Sequence, residues 1–332
     1  MRILLLGGMM LKGALIALGH SVLSFAFTKD ADIVLGRTVF AEKLLAIARE
    51  HGFEPDAFFY CDNGNLPMLI DPETLDIPSV WYSIDTYCNA WHVPYAKGFD
   101  RTLVAQKDFV SQFTNEGIRA DWFPLFANEN TLHEPGGERD VPVAFVGTLG
   151  HKNNPDRKPF LEAFKTLHPL VHYQGNYIPL FTRSRIVLNQ TAALEVNFRC
   201  FESIACGAAL LMETCENGLG DLFAIGQEIL PTYTRNNAQE AAARAREALA
   251  HTDSLQRITE AGFQAVKKRH TDRVRAKTLT GILESIPHGS REDCRKERGA
   301  SVRKAFSHIA THLPETMDKE RAFFKKVSLR TG

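Results

Sequence analysis

At 332 residues, with 44% hydrophobic and 23% charged residues, the chain has the make-up of an ordinary globular protein and more length than one core usually takes, so two domains and a tail are expected. Lys plus Arg and Asp plus Glu both total 39, which leaves no overall field to draw in nucleic acid or an anionic membrane surface. Six cysteines without a C-x-x-C pair, several inside apolar stretches, fit a reducing cytoplasm.

The chain opens on MRILLLGGMMLKGALIALGHS, where an apolar run follows Arg2 but is broken by Gly7 and Gly8 and interrupted by Lys12. That pattern argues against a signal peptide, and no stretch reaches the ~18 apolar residues of a membrane span, so a soluble cytoplasmic protein is expected. RILLL, the glycine pair, an apolar period to Leu18 and VLSFAF instead give strand, turn, helix, strand. ADIVLG, a helix over FAEKLLAIAREHG that Gly52 can cap, and the strand DAFFYC continue the rhythm. Next come IPSVWYSID, a strand at RTLVAQ, a helix over KDFVSQFTNEG and the short strand ADWFPLF. Strands alternating with helices of this length specify parallel crossovers.

Near residue 130 the polar run ANENTLHEPGGERDVP carries no apolar period and is the expected linker. The α/β rhythm then restarts with VAFVG, a helix over RKPFLEAFKTL, the strand SRIVLNQ, a helix over FRCFESIACG and the strand AALLMET, followed by a strand at EILPTY. Three helices close this half: Asn237 with Glu240 and Asp253 with Gln256 have capping-box spacing, and Thr271 can cap the third. From Pro287 onward 11 Lys plus Arg stand against 6 Asp plus Glu, which reads as a solvated, partly helical basic tail rather than a specific acidic or membrane contact. The expected organisation is an α/β domain over 1–130, a second over 141–284 and a tail over 285–332.

The chemistry-bearing residues concentrate in NFRCFESIACG, from Asn197 to Gly207. With Asn197 at the mouth of a strand-to-helix turn, Arg199 and Glu202 project to the same side of the first helical turns, Ile204 and Ala205 face the core, and Gly207 caps the end. Spacing alone allows an ordinary surface ion pair between Arg199 and Glu202. In the first half, Asp85 and His92 lie just past the apolar run SVWYSI, where an open α/β sheet presents ligands, and either can serve as a general base; Asp85 can equally cap a helix and His92 be an ordinary histidine. Gly7 and Gly8 allow close approach to the backbone or simply make a tight turn. Asp30 to Asp32 imitates a metal-binding D-x-D but opens a short strand, so it reads as loop chemistry.

The run NFRCFESIACGAALLMETCENGLGDLFAIGQEIL resembles the donor-domain signature of GT-B glycosyltransferases, in particular the bacterial group related to spore maturation protein CgeB. Supporting likenesses are VAFVGTLG, with Gly147 and Thr148 as the first donor-domain turn, NPDRKPFL, and SRIVLNQ with Ser184 and Asn189. The resemblance implies two facing doubly wound, Rossmann-like domains with the active cleft between them, the donor on the C-terminal side and the acceptor on the N-terminal side. It implies a retaining, metal-independent glycosyltransferase that needs no cofactor and takes a nucleotide-diphosphate sugar as co-substrate, with an unidentified acceptor and no nucleic-acid partner. Glu202 matches the ribose ligand and Arg199 the diphosphate partner that stabilises the leaving group. Gly147, Thr148, Lys152, Arg157, Asn189, Asn197 and Gly220 complete the donor-site candidates. Many retaining relatives place seven residues between two glutamates, whereas Glu195 and Glu202 have six between them. A sugar-nucleotide epimerase or hydrolase, or a silent sugar-nucleotide or glycan-binding module, would use the same residues.

Overall fold

The computed structural model describes residues 1–150, 154–287 and 292–330. Internal contacts divide the chain into two units, Met1–Phe123 with Ala276–Gly332, and Pro124–Arg275.

The first unit runs β1 (Arg2–Gly7), α1 (Lys12–Ala17), β2 (Ser21–Ala26), β3 (Ile33–Val34), β4 (Val39–Phe40), α2 (Ala41–Glu50) and β5 (Ala57–Cys61). It continues with β6 (Leu69–Ile70), β7 (Ser79–Ser83), α3 (His92–Ala96), β8 (Arg101–Val104), α4 (Val110–Thr114) and β9 (Ala120–Trp122). Seven of these strands make one parallel sheet in the order β3-β2-β1-β5-β7-β8-β9, and β4 pairs with β6 apart from it. Ile3, Leu4, Leu5 and Leu6 are all fully buried, because a central parallel strand is covered on both faces. The chain moves outward from β1 to β3, then returns to β5 on the other side of β1.

The second unit contains β10 (Val141–Val146), α5 (Arg157–Leu167), β11 (Val171–Tyr173), α6 (Ile178–Phe181), β12 (Ser184–Asn189), α7 (Phe198–Ala205), β13 (Ala209–Met212), α8 (Leu219–Leu222), α9 (Ala238–Ala250) and α10 (Thr252–Arg269). Its four strands are parallel in the order β11-β10-β12-β13. One face buries Val143, Phe145, Ile186 and Leu188 against α5 and α9; the other buries Val146 and Val187 against α6 and Cys206. Each unit is thus a doubly wound α/β sheet, as expected from the alternation of elements. The polar stretch after residue 127 belongs to this unit, where Ala127 pairs with Thr271 and the Asp272 carboxylate accepts from the Glu129 amide at 2.9 Å.

Helix α11 (Asp272–Ser285) spans the division between the units, and α12 (Glu292–His312) and α13 (Asp318–Ser328) follow. The stretch read as a solvated basic tail is therefore helical and packed on the first unit. Val302, Ala305, Phe306 and Ile309 line one face of α12 and, with Phe324 and Val327 of α13, join the same core as Trp81, Tyr95 and Phe99.

Three local expectations are corrected. EILPTY forms isolated bridges instead of a strand: Leu230 and Tyr233 donate to Leu210 and Met212, but Pro231 between them has no N–H for a ladder. Asn237 caps α9 through the Glu240 amide at 3.1 Å, yet the Glu240 carboxylate turns to the Thr234 amide, so the box is only half made. Asp253 lies inside α10, which starts at Thr252 without a side-chain cap. Among the described residues no helix is long and apolar enough to cross a membrane.

Candidate functional site

In the second sheet the chain passes from β10 to β11 on one side and then to β12 on the other. The loops leaving the carboxyl ends of β10 and β12 therefore part, and that divergence is where an open α/β sheet makes a ligand crevice. Gly147 stands just past the end of β10 and Asn189 at the end of β12, while the segment 190–197 carries the chain to α7.

Arg199, in the first turn of α7, reaches across this point. Its Nε donates to the Val146 carbonyl at 2.9 Å, its Nη1 donates to Asn189 Oδ1 at 2.6 Å, and its guanidinium lies 4.5 Å from the Phe145 ring centroid. Arg157, which opens α5 on the opposite face, places its own guanidinium 5.6 Å from the same ring. Arg157 also donates to the Thr148 carbonyl at 3.1 Å and to the Gln190 side-chain and main-chain oxygens at 3.2 and 3.3 Å. Two cations from helices on opposite faces thus converge on one aromatic ring at the switch point. Burial, followed by the neighbouring Arg157, lowers the Arg199 pKa to about 10, which still leaves it charged at neutral pH. Among the described residues no ion pair joins Arg199 to Glu202, so the ordinary surface pairing is not what the helix makes.

Asn189 is fully buried and serves as the hub: it accepts from Arg199 and donates to Asn197 Oδ1 at 3.0 Å. In the structure this donor-contact candidate is thus engaged with Arg199 and Asn197. Asn197 is the N-cap position of α7, but its side chain turns to Asn189 and does not cap. Gly147 has φ +154°, and a Cβ there would stand 2.6 Å from Arg199 Nη2. Gly147→Ala is therefore expected to displace the guanidinium while costing about 1–3 kcal/mol of stability, read by thermal melting.

Glu202, one turn along α7 from Arg199, is half-buried, and its carboxylate has no hydrogen-bond partner among the described residues. Burial raises its pKa to about 7 against the opposing pull of Arg199. Its charge, after burial, helps to raise the Tyr177 hydroxyl pKa to about 12. The flank is tied by residues that the sequence reading left out: Gln190 and Asn154 exchange side-chain amide bonds at 2.8 and 3.2 Å and join the turn after β10 to the loop after β12. Glu195 accepts from the Ala192 and Ala193 amides at 3.1 and 2.6 Å and so folds into its own loop. Thr148 is exposed, Gly220 is an exposed residue of α8 with open space at its Cβ position, and Lys152 lies outside the described residues.

In the first unit the equivalent divergence lies between β1 and β5. A Cβ on Gly7 would sit 2.2 Å from the Cys61 carbonyl, so the close approach of β5 already requires that glycine. Asp62, just past β5 and nearly fully buried, accepts from the amides of Gly64, Ile84 and Asp85 at 2.9, 3.1 and 3.2 Å. It thereby fixes Asp85, which is partly exposed and whose side chain makes no cap bond to the short helix after it. His92 is corrected: its ring is wholly buried against Trp81 and Trp91, its Nδ1 is 2.8 Å from Ser83 Oγ, and burial lowers its pKa to about 4. A general base needs a nitrogen that substrate can reach, and this ring offers none. Asp32, in the D-x-D look-alike, holds Lys12 Nζ at 2.8 Å and Ser24 Oγ at 2.6 Å.

Residues 138–281 match the family model described as glycosyl transferase-like. Comparison with curated proteins finds no match. Among solved structures, sucrose-phosphate synthase from Thermosynechococcus elongatus superposes with a TM-score of 0.63 at 10% identity, over 86% of this chain and 98% of that one. A glycosyltransferase from Rickettsia africae gives 0.63 at 12% over 87% and 99%, and HepE from Anabaena in complex with UDP gives 0.62 at 15% over 86% and 100%. At such identities the likeness establishes the fold, the GT-B type with two Rossmann-like domains.

Proposed function

We propose that the chain is a glycosyltransferase that moves a sugar from a nucleotide-diphosphate sugar to an acceptor hydroxyl, with the donor held by the second unit. The observation that carries this reading is the pair of guanidinium groups, Arg199 and Arg157, that meet at Phe145 at the switch point, with the unpartnered Glu202 carboxylate one helical turn from Arg199. A departing diphosphate gains negative charge as the glycosidic bond breaks, and two fixed cations stabilise that charge more in the transition state than in the bound donor. Glu202 is placed to accept both ribose hydroxyls, a contact that binds the donor without taking part in bond breaking. The family-model match over 138–281, and the presence of UDP in the HepE structure, support a nucleotide sugar as the ligand. In this reading the chain's own cations supply the charge that other transferases draw from a metal, and the sugar is transferred with retention.

The test is a thermal-shift screen against UDP-, GDP-, ADP- and TDP-sugars, followed by product analysis with candidate acceptors. At least one sugar nucleotide is expected to raise the melting temperature by mass action, and its sugar to reach an acceptor. Donor consumption that no acceptor accelerates would indicate a hydrolase or epimerase. Binding without any product would indicate a recognition module.

A further inference from the structure

We infer that the segment following β11, residues 173–177, reads the nucleobase of the donor, with the Tyr173 ring as the surface on which the base stacks; this rests on the donor reading above. Tyr173 ends β11 opposite Val146, and its carbonyl accepts the Gly147 amide at 3.0 Å, which places it beside the turn that Arg199 crowds. The residue is nevertheless 50% exposed. Gly175, at φ +141°, leaves room for it: a Cβ there would meet the phenol end of Tyr173 at 2.9 Å. The ring is thus braced from behind by main chain and open on its other side, which is the arrangement an aromatic platform requires.

Two further observations point the same way. Tyr177 closes the segment and is the aromatic whose hydroxyl feels Glu202, so the loop extends from the carboxylate assigned to ribose. Gln174 is exposed and has no partner among the described residues, and Asn176 spends its Oδ1 on the Ile178 amide at 3.1 Å, which leaves its amide nitrogen to donate elsewhere. A ring face with side-chain amides next to it is the chemistry that recognises a planar heteroaromatic carrying donor and acceptor edges. Stacking tolerates any base, so affinity would come from Tyr173 and discrimination from Gln174.

Titration calorimetry of the wild type, Tyr173→Ala and Tyr173→Phe against UDP, GDP, ADP, TDP and inorganic pyrophosphate tests this. Tyr173→Ala is expected to weaken the tightest nucleoside diphosphate about tenfold or more, Tyr173→Phe to bind as wild type, and pyrophosphate to bind all three alike. Gln174→Ala is expected to change the ranking among the four nucleotides. Nucleotide affinity within twofold of wild type in Tyr173→Ala would overturn the inference, as would equal loss of nucleotide and pyrophosphate, which would make Tyr173 a prop for the Gly147 turn. A wild type that binds none of the nucleotides would sink the donor reading itself.

Discussion

Arg199→Ala is expected to lower turnover by about 10²–10³ on a working donor and acceptor pair, with a much smaller change in KM, because leaving-group charge grows mainly in the transition state. Arg199→Lys should recover only part of the loss. A lysine keeps one positive charge but cannot hold Val146 O and Asn189 Oδ1 with a planar fork while its remaining N–H groups face the ligand. Asn189 would lose its charged partner in Arg199→Ala, so circular dichroism and melting must accompany the kinetics. Turnover within threefold of wild type in a folded Arg199→Ala variant would remove the leaving-group role and shift attention to Arg157.

The second large effect concerns Glu202. Its pKa is raised to about 7 by burial, so the free protein holds a proton there well above the usual carboxylate range. In the proposed site the ribose hydroxyls would donate to the ionised form, so donor affinity is expected to be present above pH 7 and lost as pH falls through it. Calorimetry with UDP-glucose, whose phosphates do not titrate in this range, should show about tenfold tighter binding at pH 8 than at pH 6, the change in the ionised fraction of such a group. The free protein has the opposite sign: with the folded pKa above the unfolded one, the Glu202 contribution to stability is present below about pH 4.5 and is lost as pH rises through 7. Glu202→Gln should weaken the donor about tenfold or more at pH 8 and flatten the profile. A slope that survives in Glu202→Gln would place the titrating group elsewhere.

The sequence by itself determined the α/β class, the order of nearly all elements and the α7 segment, because each depends on local pattern. β1 is a continuous apolar run since both its faces are covered, and Gly207, at φ +72°, ends α7 as a glycine in that position does. Arg199 and Glu202 were also legible, one turn apart on a helix whose inner face reads Phe201, Ile204 and Ala205.

What only the tertiary structure decided depends on residues far apart in the chain. The ring that both cations approach is Phe145, supplied by β10, and nothing near Arg199 or Arg157 in sequence announces it. Asn189 carried a family likeness, but its meeting with Arg199 and Asn197 at the end of β12 is set by packing. His92 looked available because the sequence does not show that Trp81 and Trp91 close over it. The tail is the sharpest case: Val302, Ala305, Phe306 and Ile309 have a clean helical period, but the charges between them dominate composition, and the core they join includes Trp81, Tyr95 and Phe99, more than 200 positions earlier. Local periodicity shows that a face is apolar; only packing shows what covers it.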